Sequence, residues 1–399
     1  MPMFFVFAAC AFASGFALRL VDPIVLPVAA HFGVGLGAAA MLNTAFALPY
    51  ALAQPFLGPL GDRFGKLRCM QVCIAGLTVM LALGAVASNY TLLLATRICA
   101  GIFAGGVIPI VLASLGDRYA MSERQVMIGR MLFAIISGQM LGSVVSGLAN
   151  TVFGWRSALF IATGVGATAA AIAWFFLPHQ DAGEAPRSTA SFGAIYRGIF
   201  ENPKVPWLIG CVMAEGVLFY GLFPYMSELL LSAQAAERAT ISAHTGLVLG
   251  AFGIGGIAYA ATVRILLGAL GTRRMSLIGS TVAGLCYAAL VIAPVWWVDA
   301  MAMFCAGLAF YMMHNSLQTE ATEISPATRG SAVALFSAGF FAGQGIGPLV
   351  FGGLLHGLGP APALLVVALA VLGLGRIVVA RVVDGRVFER PSADRSSAA

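Results

Sequence analysis

The sequence predicts an all-α membrane protein, with twelve transmembrane helices in two pseudo-symmetric six-helix bundles. Three observations carry that expectation. The 399-residue chain is 60% hydrophobic and only 10% charged, whereas a soluble domain holds about 25% charged residues. Its apolar residues fall in runs of about 20, the length that crosses a bilayer as a helix. Short motifs also recur between the two halves of the chain at a nearly constant offset.

Twelve runs qualify: 4–31, 38–60, 69–88, 91–115, 126–150, 155–178, 205–231, 243–267, 274–294, 297–319, 331–356 and 360–382. The polar stretch 179–204, with Asp181, Glu184, Arg187, Arg197 and Lys204, divides six runs from six. The expected organisation is an N-terminal bundle over 1–178, a cytoplasmic loop over 179–204, a C-terminal bundle over 205–383 and a cytoplasmic tail over 384–399. Trp296 and Trp297 suit an interfacial anchor between the ninth and tenth spans. No basic segment precedes the first apolar run, whose first positive residue is Arg19, so no cleaved signal peptide is expected.

Orientation follows from Lys and Arg. With both termini cytoplasmic, eighteen of the 22 Lys and Arg residues lie in inner loops or the tail, against Arg156 and Arg238 outside. That positive-inside bias also accounts for the net charge of +6, so nucleic acid is not an expected partner. The seven cysteines lie in or beside apolar runs without a CxxC pair, and read as packing residues rather than disulfides or metal ligands.

The repeats are specific. Cys10-x3-Ser14-Gly15-x7-Pro23 in the first span matches Cys211-x3-Glu215-Gly216-x7-Pro224 in the seventh. Cys99-Ala-Gly101 matches Cys305-Ala-Gly307, and Gly138-Gln139-x2-Gly142-x4-Gly147 matches Gly343-Gln344-x2-Gly347-x4-Gly352. The offsets are 201, 206 and 205 residues. Three matches in order point to duplicated halves of the kind transporters place around a central site.

Between the second and third spans stands Gly58-x3-Asp62-Arg63-x-Gly65-Lys66-x-Arg68. A charged, glycine-bearing turn between two apolar helices is a tight loop at a membrane surface. This stretch resembles the signature loop of the major facilitator superfamily. The fourth span's Arg97-x3-Gly101-x3-Gly105-Gly106 is similar to that family's pattern for the same helix. Gly138, Gly142 and Gly147 resemble the glycine motif of its antiporters, except that the usual proline is Ser143, and a proline stands instead at Pro348. Close helix packing by small residues accounts for these glycines equally well.

The resemblance covers the chain to about residue 383. It implies a secondary transporter of the inner membrane that works by alternating access, nearest to the proton-linked efflux permeases for drugs, sugars or small metabolites. The residues Gly58, Asp62, Arg63, Gly65 and Lys66 are then a cytoplasmic gating loop. The implied partners are the lipid bilayer, a small-molecule substrate and protons, with the protein acting as a monomer. Uptake of a small organic anion is the other reading, since Arg19 gives the cavity a positive residue. No nucleotide loop, metal cluster or catalytic constellation is present, so neither a cofactor nor an enzyme activity is expected.

Charges inside the spans are the sharpest site signal, because an ionised group at a helix centre costs about 3 kcal/mol on insertion scales. Arg19 and Asp22 are three apart, and so share a helical face. Asp22 and Arg97 lie at similar depths on helices that the family makes neighbours, which predicts an Asp22–Arg97 ion pair. Glu215 stands at the repeat position of Ser14, the lone carboxylate well inside a C-terminal span. Desolvation favours its neutral acid, as a proton carrier requires; a substrate cation contact or a structural hydrogen bond are the alternatives. Tyr50, Gln54, Gln139, Tyr220, Tyr225, Tyr259, Tyr311 and Gln344, with Arg19, are the candidate cavity residues. His314 and Asn315 are polar too, but His314 is placed near the cytoplasmic end, solvated, and outside any proton relay.

Overall fold

A computed structural model describes residues 3–118, 121–177, 197–233, 237–292, 295–324 and 329–383. The expected central loop, apart from 197–204, and the tail lie outside the described residues. So do the side chains of 58–59, 61–63, 116–117, 121–126 and 329–330.

The described chain is helical throughout, in the order the apolar runs dictate. In the first half come α1 (Met3–Arg19), a 3-10 turn (Asp22–Ile24), α2 (Val25–Phe32), α3 (Leu36–Phe64), α4 (Lys66–Ala85), α5 (Tyr90–Arg118), α6 (Met121–Phe153) and α7 (Arg156–Phe176). The second half holds α8 (Val205–Tyr220), a 3-10 turn (Phe223–Tyr225), α9 (Met226–Ser232), α10 (Ile241–Ala289), α11 (Trp296–Glu323), α12 (Arg329–Leu358) and α13 (Pro360–Arg381). Among the described residues, eleven helical segments are long and apolar enough to cross a membrane, one fewer than the runs predict. The difference lies in α10, a 49-residue helix that covers both the eighth and ninth runs. It is two spans, because Gly271 breaks it at φ 67°, ψ 165°, a backbone geometry that glycine alone adopts readily. Gly65, at φ 93°, turns the chain between α3 and α4 in the same economical way.

The repeated glycines are where the helices come closest. A Cβ on Gly15, Gly138 or Gly142 would strike the facing backbone where α1 crosses α6, and Gly216, Gly343 and Gly347 are as tight where α8 crosses α12. Without a hydrophobic force between helices in lipid, such backbone approach is what holds them. The duplicated sequence motif is a duplicated helix crossing.

The two halves meet at the helix ends away from the start of α1 and the end of α13. There α6 crosses α10, with Gly147 against Ser242 and Gly246, and the Asn150 amide donates to the Ser242 hydroxyl at 2.9 Å. Opposite them α3 meets α12, where the Thr44 hydroxyl donates to the Gly345 carbonyl at 2.8 Å and Tyr50 packs on Phe341 with ring centroids 4.4 Å apart. These crossings close the far end of the space between the halves.

Candidate functional site: a buried charge cluster between the halves

Two broken helices meet at the centre. Proline has no N–H and its ring excludes the carbonyl four residues earlier, so Pro23 frees the Arg19 carbonyl and Pro224 frees that of Tyr220. The helices accordingly end at Arg19 and Tyr220, and each resumes after a 3-10 turn. The Ser143 hydroxyl, reaching over from α6, donates to the freed Arg19 carbonyl at 3.3 Å. Arg19 and Tyr220 are repeat equivalents, and the Arg19 Cζ stands 4.1 Å from the Tyr220 ring centroid and 5.2 Å from that of Phe223.

Arg19 ties the halves together. Its Nη2 donates to the Gln344 Oε1 on α12, and its Nη1 lies 3.7 Å from the Asp22 Oδ2. Among the described residues its Nε has no hydrogen-bond partner, and neither oxygen of the fully buried Asp22 accepts a hydrogen bond. The expected Asp22–Arg97 pair is therefore corrected: the ion-pair partner of Asp22 is Arg19. Arg97 instead donates from Nη1 to the Ala17 carbonyl at 3.1 Å and from Nε to the Leu42 carbonyl at 3.4 Å, with Phe46 4.1 Å from its Cζ. Arg97 does reach α1, as equal depth predicts, but bonds to the Ala17 carbonyl rather than to Asp22.

Glu215 is also not alone. The His314 Nδ1 lies 2.7 Å from its Oε2, and the His314 ring is packed by Phe310, Phe336 and Phe340 at centroid distances of 5.0, 5.4 and 4.6 Å. Glu215 is fully buried and the His314 side chain 12% exposed, so the solvated position expected for His314 is corrected. Carboxylate and imidazole are thus within hydrogen-bond reach of each other. Nothing in the sequence marked this pair, since His314 has an apolar residue, Ile108, at its repeat position.

A narrow cavity lies beside these charges, lined by Arg19, Gln139, Ser143, Tyr220, Phe223, Phe252 and Tyr311, with Ile136, Met140, Leu249 and Gly253. Its open volume is about 20 Å³, enough for a water in this closed arrangement of the helices. Of the expected cavity residues, Arg19, Gln139, Tyr220 and Tyr311 line it and Gln344 holds Arg19. Tyr225 and Tyr259 do not; the Tyr225 hydroxyl donates to the Pro348 carbonyl at 3.0 Å, and Tyr259 stacks on Tyr311 beside Met275. Tyr50 and Gln54 are buried away from the lining. Phe223, Phe252, Met140, Leu249 and Ser143 were not legible as site residues, because in so apolar a chain only the fold says which apolar side chains turn inward. In the signature loop, Gly58 lies within α3, Gly65 forms the turn and Lys66 opens α4, while the side chains of Asp62 and Arg63 lie outside the described residues.

Duplicated six-helix halves around a central, charge-bearing cavity are the frame of a membrane transporter. The Major Facilitator Superfamily model matches residues 7–327, and the chain belongs to that family. It is a family of solute transporters, not of enzymes. A Bacillus subtilis protein called an uncharacterized MFS-type transporter, YceJ, is 25% identical over 88% of this chain and 89% of its own length. A Mycobacteroides abscessus triacylglyceride transporter is 26% identical over 46% of this chain, a match that spans 39% of that relative. The solved nucleoside transporter NupG superposes with a TM-score of 0.77 at 14% identity, over 96% of this chain and 99% of NupG. A bacterial homologue of the human lysosomal transporter Spinster, inward-facing and unoccupied, superposes with a TM-score of 0.67 at 17% identity over 95% of this chain and 93% of that one. These structural likenesses speak for the fold alone.

Proposed function

We propose that the protein is a proton-linked secondary transporter of a small organic solute, working by alternating access in the inner membrane with both termini cytoplasmic. The observation that carries the reading is the buried Glu215–His314 pair, on the same two helices as the cavity residues Tyr220 and Tyr311, with the His314 and Tyr311 ring centroids 6.2 Å apart. A proton-sharing pair beside a solute cavity is a device by which proton and solute occupancy can depend on each other. The far-side contacts of α3 with α12 and α6 with α10 fit one closed gate of an alternating cycle, and the turn at Gly65 belongs to the loop expected to gate the other side.

Efflux against proton entry is the first reading, in line with the glycine motif on α6. Uptake of a small organic anion with protons is the second, and Arg19 on the cavity wall favours it. Proteoliposomes with an imposed pH gradient decide the matter: solute moving against the proton flow supports efflux by exchange, and solute moving with it supports uptake. Solute exchange that ignores the gradient overturns proton linkage. The monomer is the expected working unit, with size-exclusion chromatography and light scattering in detergent as its test.

A further inference from the structure

We infer that the transported solute is a small organic carboxylate, bound on the Nε–Nη2 edge of Arg19 in place of Gln344. The inference rests on the proposed transport function and names the substrate class of that site.

The guanidinium presents its donors in two forks, and the fork formed by Nε and Nη2 is the one that meets a planar carboxylate side-on, with two parallel hydrogen bonds. In this structure only half of that fork is used. Nη2 is taken by the neutral amide oxygen of Gln344, while Nε is buried and has no partner among the described residues. Nη1 is engaged separately with Asp22. A carboxylate satisfies both open-edge donors with charge-assisted bonds and displaces only a neutral oxygen. The rest of the lining, Tyr220, Phe223, Phe252, Tyr311 and Leu249, suits an aromatic or apolar body attached to that carboxylate. Displacing Gln344 also breaks a hydrogen bond between α1 and α12, so loading the site loosens a contact between the halves.

The balance of buried charge points the same way. Arg19, Arg97 and Asp22 sum to one positive charge in the interior of the first half. Counting the N–H that a neutral imidazole always holds, the Glu215–His314 pair carries one negative charge with a single proton and none with two. The groups facing it are Cys211 and Tyr220 on α8 and Tyr311 on α11, with Arg19 on α1 beyond the two tyrosines; the α12 residues on His314, Phe336 and Phe340, are apolar. The cluster is thus neutral with one proton and positive with two, and a net charge within a bilayer is costly. A monoanion and the second proton restore neutrality together. Proton and carboxylate therefore bind as a pair.

The test is calorimetric titration of the full-length protein in lipid nanodiscs with benzoate, benzamide and benzamidine, planar probes of similar shape that are negative, neutral and positive. Benzoate is expected to bind about tenfold tighter than either of the others, a difference of roughly 1.4 kcal/mol. Titration in two buffers of different ionisation heat reads the protons taken up, with about one expected per benzoate. Arg19→Lys, which lacks the planar fork, weakens benzoate, and Gln344→Ala, which removes the competitor, tightens it. Glu215→Gln keeps benzoate binding and loses the proton uptake. Equal affinity for benzamide, preference for benzamidine, or a Gln344→Ala loss as large as that of Arg19→Lys overturns the inference. If benzoate fails while a neutral or cationic solute moves protons in proteoliposomes, the carboxylate assignment falls and proton-linked transport stands. Benzoate binding with no solute-driven proton flux leaves the site intact and sinks the transport reading.

Discussion

His314 meets Glu215 at 2.7 Å, Nδ1 to Oε2, inside a cage made by Phe310, Phe336 and Phe340. The acid is wholly buried, and the imidazole is the hydrogen-bond partner its carboxyl has among the described residues. If the pair links proton and solute movement, Glu215→Gln keeps solute exchange across proteoliposomes and abolishes the effect of an imposed pH gradient. His314→Gln leaves the carboxyl in place and keeps partial coupling. Gradient-driven transport that survives Glu215→Gln at the wild-type rate removes this pair from the mechanism.

Asp22 contacts Arg19 at 3.7 Å while Arg97 is held by the carbonyls of Ala17 and Leu42. Breaking a buried pair by removing one partner typically costs 3–5 kcal/mol, because the other charge is stranded. Asp22→Asn is therefore expected to lower the thermal unfolding midpoint in detergent. Adding Arg19→Gln should recover more of that loss than adding Arg97→Gln, which also strips two carbonyls of their donor. The reverse order would reinstate Arg97 as the working partner of Asp22.

The crossing of α6 and α10 leaves no room for side chains. A Cβ on Gly246 would stand 2.6 Å from the Ser143 carbonyl oxygen and 3.3 Å from the Gly147 Cα. Gly246→Val should hold the two halves apart on the far side while leaving each half folded. Asn150→Cys in that background is expected to react several-fold faster with a membrane-impermeant maleimide added from the far side than Asn150→Cys alone. Equal labelling rates would mean that this crossing does not gate access.

Much of this was legible in the sequence, and the rest was not, for definite physical reasons. Span length and the repeated glycines translate directly into helices and helix crossings, since bilayer thickness and backbone approach allow few alternatives. The i, i+3 spacing of Arg19 and Asp22 already held the true ion pair, but equal depth drew the pairing toward Arg97. Depth is set by counting residues, whereas a partner is set by the helix face and the rotamer, and one sequence does not give those. The Glu215–His314 pair joins residues 99 apart with no symmetry mate, so neither spacing nor repeat could announce it. Ser143 was noticed only as a missing proline, and its task became visible with the chain end it serves.

That task leads to a sharp test. The Arg19 carbonyl loses its helical donor because Pro23 has no N–H, and the Ser143 hydroxyl supplies a replacement at 3.3 Å. Ser143→Ala strands a buried acceptor, which costs about 1–3 kcal/mol. The damage should vanish when the cause is removed as well: an N–H at position 23 can again serve the carbonyl of residue 19. Pro23→Ala combined with Ser143→Ala is accordingly expected to be more stable than Ser143→Ala alone, with the two changes non-additive by about 1 kcal/mol or more. Unfolding midpoints of the wild type, the two single variants and the double variant complete the cycle. Simple additivity would show that Ser143 and Pro23 act independently, and that the hydroxyl does not substitute for the missing N–H where the helix breaks beside Arg19.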